Sequence, residues 1–419
     1  MFLPQQMNLA PNSPRLEAEL NALALISENP PPVVTRVLFS EADLHGRVFV
    51  KNLCREAGLT LREDAVGNIF ARWTGSAPEL PAVATGSHID AIPNAGKFDG
   101  VVGVLGALEA FRTLRVAGFQ PRRSLELVIF TAEEPTRFGL GCLGSRLLGG
   151  VLAPERAACL ADREGQTLED WRARGGCTGP LASVRLPRDH YAAFVELHIE
   201  QGPILEQENL AIGIVEKIAA PSTLRLQLTG VGGHAGAVLM PGRHDAGLAG
   251  AEIALAVEAA VTNTGSPDTV GTTGVFRIEP GAVNSVPCRA WLEIDVRDTQ
   301  TATRDAALAQ IESAAAAICA RRGVQLELER LNVDPPALCD AGLVQTIAGL
   351  CRTLGLSHRT MISRAYHDSL FMAQVCPTTM IFIPSYQGYS HRPDEYSSPE
   401  QIVAGVTLLA ATLAELSNR

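Results

Sequence analysis

The hydrophobic repeat of this chain changes character twice, and that double change constrains the fold more than any other feature. From Ala65 to about residue 220, apolar runs such as PAVATG and SLELVIF alternate with the small-residue stretch VVGVLGALEAFRTL, the pattern of strands interleaved with helices. At Pro221 it becomes an apolar/polar alternation, STLRLQLTG, which returns in VFRIE, AWLEIDVRD and VQLELERLN, with helical stretches at about 245–262 and 304–322 between them. After DPPALCD, from about Cys339, the first pattern resumes with a helix, SRAYHDS, another helix, the strand TTMIFIP and a last helix from Ser398. One periodicity nested in another implies one domain inserted into another, and 419 residues exceed what a single core usually serves. The expected class is α/β. A mixed-sheet domain takes residues 1–220 and 335–419, and an inserted α+β domain takes residues 221–334, in the order β, α, β, β, α, β with an antiparallel sheet and two helices on one face. The Arg-, Gly- and Pro-rich stretch 149–189 reads as a helical insertion with loops, and an N-terminal helical layer containing NPPPVV precedes the first strands.

Composition excludes several classes of function. With 46% hydrophobic and 19% charged residues the chain is an ordinary globular one, and a net charge of −10 argues against a nucleic-acid surface. The opening MFLPQQMNLAPNSPRLE lacks the basic region and apolar core of a secretory signal, and no uncharged apolar stretch reaches the roughly 18 residues of a membrane span. Nine cysteines, an odd number without a closely paired motif, read as reduced thiols of a cytoplasmic protein and remove a Cys-based zinc site from consideration.

Chemistry-bearing residues gather after the strand-like runs. In ATGSHIDAIPNAGKFDG, His88 and Asp90 share a face if the strand continues, and Asp99 follows a turn containing Pro93, Asn94, Gly96 and Gly100. Alone, this stretch is an ion site or a solvated loop. FTAEE sets Glu133 beside Glu134 at a strand's end, either as ligand and proton acceptor or as an acidic pair at a helix N-terminus. Five of the nine histidines, His88, His198, His234, His367 and His391, lie in or beside loops that follow apolar strands. Asp99, Glu134, His88, His198 and His391 together are too many for one tetrahedral ion and right for two divalent metal ions sharing a bridge. Two such ions suit amide hydrolysis, with Glu133 as general base.

GSHIDAIPNAGKFDG, FTAEEPTRFGLGCLGS, ELHIEQGP, GVGGHAG, PGAVNSVP with DVRD, and GYSHRPDEY resemble, in order and spacing, the metallopeptidase-like amidases of the hydantoinase/carbamoylase branch of the M20 family. The resemblance runs from about Ala65 to the last helix. It implies an aminopeptidase-like catalytic domain, a homodimer formed through the inserted lid domain, and domain closure that assembles the site. It implies that His88, Asp99 and His198 hold one ion and Asp99, Glu134 and His391 the other, with Asp99 bridging and Glu133 as base. Asp90 corresponds to a carboxylate that orients His88 through its second ring nitrogen. Gln201, His234, Asn284, Arg297 and His367 match substrate-binding positions, and the His234 position reaches the partner's site, where it supports the developing oxyanion. From local chemistry alone, Arg297 is equally a salt bridge to Asp295 or Asp298, His234 a turn residue and Asn284 an ordinary turn Asn.

Two departures refine the reading. Where most of the family has small residues before the aligned His, this chain has Ser363, Arg364, Ala365 and Tyr366. Tyr366 fills space and adds a hydroxyl, which favours a smaller substrate with an extra polar group, and SRAYHDSLFMA with GYSHRPDEYSSPE is similar to the ureidoglycolate amidohydrolases of that family. Carbamoyl-amino-acid and allantoate hydrolysis are the alternatives. GHAGAVLMPGRHD places Ala237, Val238 and Leu239 where the family commonly carries Thr-Thr-Pro. Imidazole and carboxylate donors admit several metals, and the resemblance ranks Mn2+ ahead of Zn2+.

Overall fold

The computed structural model describes Met7 and residues 9–419. The expectation that the opening segment is no secretory leader rests partly on residues 1–6 and 8, outside the described residues. The chain divides into two compact units. The first comprises Met1–Glu216, Leu338–Met361 and His367–Arg419, the second Lys217–Ala337 with Ile362–Tyr366.

The first unit is built on a mixed sheet. Its centre runs, in order, through Thr378–Ile383, Tyr191–Ile199, Ala82–His88 and Leu125–Phe130, all parallel, and continues antiparallel to Ile69–Trp73 and Thr60–Glu63. The strands Ala82–His88, Leu125–Phe130 and Thr378–Ile383 are buried along their whole length, as expected when helices cover both faces. One cover is the helix Val101–Val116, whose small residues allow close approach. A Cβ on Gly103 would lie 2.4 Å from the Leu197 carbonyl and 2.6 Å from Ser87 Cβ. Leu143, Leu147 and Met372 belong to a separate core cluster, whereas Pro399–Ser417, started by a Ser398/Gln401 capping box, packs beside Val101–Val116 on the same face. Among the described residues it alone is long and apolar enough to cross a membrane, yet two thirds of it is buried in the core that holds Val406, Leu409 and Leu413. Five cysteines are buried and all nine are free.

The mixed α/β architecture follows the sequence, with local differences. Ala91–Ala95, expected as loop, is a short strand pairing antiparallel with Val34–Arg36. The strand before the acidic pair ends at Phe130, so Glu133 and Glu134 lie beyond it and strand alternation does not set their directions.

The second unit carries a four-stranded antiparallel sheet in the order Val270–Glu279, Arg289–Asp298, Ala220–Thr229, Gln325–Val333. Alternation along Arg289–Asp298 buries Ala290, Leu292, Ile294 and Val296 against the helices Ala246–Thr262 and Thr301–Arg322, which supply Ile253, Val257, Leu308 and Ile311. Residues 362–366 join this unit because Ser363 accepts from Ala219 N and Arg364 pairs with Asp268 at 2.8 Å.

Candidate metal and active site

The C-terminal ends of the parallel strands deliver the donors, the place where an α/β sheet opens its site. His88 ends one strand and His198 sits one residue from the end of its neighbour. Each ring is fixed by its own backbone: His88 Nδ1 lies 3.0 Å from the Asp90 carbonyl and His198 Nδ1 2.9 Å from the Ile199 carbonyl. A carbonyl can only accept, so both Nδ1 atoms carry a proton and both Nε2 atoms face inward.

They face Asp99. Its Oδ1 lies 3.6 Å from His88 Nε2 and 3.2 Å from His198 Nε2, and its Oδ2 lies 3.3 Å from His391 Nε2. His391 Nε2 is also 3.3 Å from Glu134 Oε1. Donor atoms of His88, Asp99 and His198 lie within 4.8 Å of one another, as do those of Asp99, Glu134 and His391, so one carboxylate is common to two sets of three. Nitrogen and oxygen donors at such spacing fit divalent transition metals.

Electrostatics show how tightly the set is coupled. Burial opposes the Asp99 charge, but hydrogen bonds from His198, His391 and His88 hold its carboxyl well below the usual range. Hydrogen bonds to Asp99 and Glu134 lift His391 to about 11. Burial would lower His88, yet Glu133, Asp90 and Asp99 hold it well above its ordinary value. Burial pushes Glu133 well above the usual carboxyl range, with Glu134, Asp368 and Asp99 adding to it against His88. Glu133 stands outside both sets of three, with Oε2 3.7 Å from His88 Nε2.

Several of these directions are set by left-handed backbone. Ala132 (φ 53°) turns the chain before Glu133 and Glu134, Gln201 has φ 55° and His391 φ 59°. Non-glycine residues in this region cost about 1 to 2 kcal/mol each and persist where the surroundings over-determine them. Gly100, at φ 66°, is obligatory, since a Cβ there would meet the His88 ring at 2.4 Å.

Asp90 has further partners besides His88. Its carboxylate is 3.6 Å from His88 Nδ1, which the backbone carbonyl already engages. The two carboxylate oxygens also accept from Glu133 N at 3.2 Å and Glu134 N at 3.1 Å, fixing the turn that presents both acids. Gln201, expected at a substrate position, donates its amide to Asp99 Oδ2 at 2.7 Å.

The remaining expected residues fall into separate groups. His367 belongs to the first unit, buried with its ring 4.4 Å from that of His198. In the second unit His234 and Asn284 come together: His234 pairs with Ser285, and the Asn284 carbonyl accepts from Ala235 N at 2.8 Å. Arg297 bonds Asp295 at 2.7 Å, the local salt bridge, and lies over the Tyr366 ring at 5.2 Å. Arg289, at the end of its strand nearer the Asn284 turn, and Arg297 are eight residues apart, about 27 Å along the strand.

Three buried carboxyls were not anticipated. Glu196 accepts from Ser87 Oγ at 2.7 Å and Ser369 Oγ at 2.6 Å, and forms a third close set with His198 and His367. Its signal was an acid inside the apolar run AAFVELHI. Asp368 accepts from Ser145 Oγ at 2.5 Å, and burial with Glu196 nearby holds its carboxyl well above the usual range. Glu395 accepts from Phe98 N and Asp99 N, and burial with Asp99 nearby raises it to about 7.

The chain is similar to proteins of known name and structure. Ureidoglycolate hydrolase of Arabidopsis thaliana is 54% identical over 98% of this chain and 88% of its own length, and N-carbamoyl-L-amino acid amidohydrolase of Geobacillus stearothermophilus is 36% identical over 96% and 98%. The crystal structure of AtUAH in complex with glyoxylate superposes with a TM-score of 0.94 at 53% identity, covering 98% of this chain and all of that one. The profile of Peptidase family M20/M25/M40 matches residues 84–415, a span that contains every donor described above, and the chain belongs to that family.

Proposed function

We propose that this chain is a two-metal amidohydrolase that cleaves the ureido C–N bond of (S)-ureidoglycolate, releasing ammonia, carbon dioxide and ultimately glyoxylate in purine-nitrogen recovery. The observation that carries the chemistry is the bridging geometry of Asp99, one oxygen toward His88 and His198 and the other toward His391, with Glu133 beside both sets and in neither. When bound, two divalent ions, Mn2+ first and Zn2+ second, supply an acidified water and a polarised ureido carbonyl. Glu133, whose Oε2 lies 3.7 Å from His88 Nε2, would accept a proton from the attacking water and pass it to the leaving nitrogen. Asp90 holds Glu133 in place through its backbone N–H. The substrate assignment is supported by the relatives named for ureidoglycolate and by Tyr366, whose bulky ring lies 5.2 Å from the Arg297 guanidinium, a group suited to a carboxylate.

Homodimerisation through the inserted unit belongs to the same proposal. Leu248 and Leu255, seven residues apart on one face of the helix Ala246–Thr262, are exposed, as are Phe276 and Ile278 on the edge strand Val270–Glu279. His234 with Asn284 and Arg297 with Tyr366 occupy opposite ends of that unit, too far apart for one small substrate to touch both. On this proposal, as the family resemblance implies, His234 of the partner subunit completes each site, supporting the developing oxyanion while Arg297 binds the carboxylate. The protein acts in the cytoplasm.

Ammonia release measured with ureidoglycolate, allantoate and a panel of N-carbamoyl amino acids tests the assignment. Turnover of ureidoglycolate well above the others is the expected result, and turnover of N-carbamoyl amino acids alone would falsify it in favour of a carbamoylase.

A further inference from the structure

The two sets of donors that share Asp99 are built differently. His88 and His198 sit at the ends of core strands, 1% and 0% exposed, with rings pinned by backbone carbonyls. His391 sits in a turn with left-handed backbone, its side chain 48% exposed. What holds that turn against the Asp99 loop is Glu395. Its Oε1 accepts from Phe98 N at 2.8 Å and Asp99 N at 3.0 Å, and its Oε2 lies 3.0 Å from Ser390 Oγ. Ser390 Oγ also lies 2.8 Å from Asp99 Oδ2. The loop is shaped around this carboxylate: a Cβ on Gly96 would stand 2.5 Å from Glu395 Cβ and 2.7 Å from its Oε1.

A side chain chosen only to satisfy two loop N–H groups would gain nothing from a second charge beside Asp99. The reach of Glu395, from 98–99 to 390, joins the two segments that carry Asp99 and His391, whose Oδ2 and Nε2 lie 3.3 Å apart. We propose that Glu395 is a positioning residue for the ion held by Asp99, Glu134 and His391: it latches loop 96–99 to turn 390–391, and its loss weakens that ion selectively. This inference rests on the two-ion reading of the site.

The test is calorimetric titration of chelator-stripped protein with Mn2+, alongside its thermal melt without metal. Wild type takes up two ions. Glu395→Ala and Glu395→Asp, the latter charged but too short to span both loops, are expected to keep one ion with little change and to weaken the other by about 10- to 100-fold. Glu395→Gln, which can still accept from the loop and meet Ser390, is expected to restore both. Should Glu395→Ala fail to fold, Glu395→Asp carries the comparison. Equal weakening of both ions, no weakening, or a Gln variant that behaves like Ala would overturn the latch. Wild type that binds fewer than two ions would overturn the two-ion reading itself.

Discussion

A buried carboxylate that faces three imidazoles stays ionised because the imidazoles hold it so, and the effect on them is reciprocal. Asp99 and Glu134 raise His391 from its ordinary 6.5 to about 11, so at neutral pH the metal-free protein keeps this imidazole as a cation. Because the folded value lies above the ordinary one, the stability it contributes is complete below about pH 6.5 and is lost as pH rises through about 11. The melting temperature of metal-free protein should therefore decline across that window. An incoming ion needs a neutral imidazole, so Mn2+ binding should release protons and tighten as pH rises. Calorimetry in buffers of different protonation enthalpy reads this directly, and a heat independent of buffer would contradict it. At Glu133 the expected outcome concerns turnover alone. Glu133→Gln should lower turnover by about 10²- to 10⁴-fold with metal content unchanged by elemental analysis, whereas loss of metal would make Glu133 a ligand.

Elements matter here through the precision with which strand ends meet one helix. Gly103 lets the helix Val101–Val116 lie against the strands carrying His88 and His198, so Gly103→Val should destabilise by about 1 to 3 kcal/mol or more. That appears as a lower melting temperature, and an unchanged melt would show that the helix can shift. The donors, the nested unit and its sheet were legible in the sequence because apolar periodicity and ligand-type residues at strand ends are local signals. The role of Asp90 was not, since bonding Glu133 N and Glu134 N depends on the left-handed turn at Ala132, which nothing in FTAEE announces. Nor was Glu395, whose partners Phe98 and Asp99 lie almost 300 residues earlier in the chain. The strand Ala91–Ala95 escaped because its Pro93 and Asn94 read as turn residues and its pairing partner, Val34–Arg36, has only three residues.

For the whole molecule, the proposed selectivity and the proposed assembly both rest on the inserted unit. Tyr366 packs beside Arg297, so Tyr366→Gly should admit bulkier carboxylates, raising kcat/KM for N-carbamoyl amino acids relative to ureidoglycolate by about tenfold or more. An unchanged ratio would remove Tyr366 from the selectivity argument. On the proposed dimer, the separation of His234 from Arg297 within the unit also has a genetic reading. Two inactive chains, His234→Ala and Arg297→Ala, would complement each other when mixed. In a hybrid, one site draws both groups from intact positions and the other inherits both lesions. Random pairing then returns about a quarter of wild-type specific activity, whereas groups that served a single site within one chain would return none.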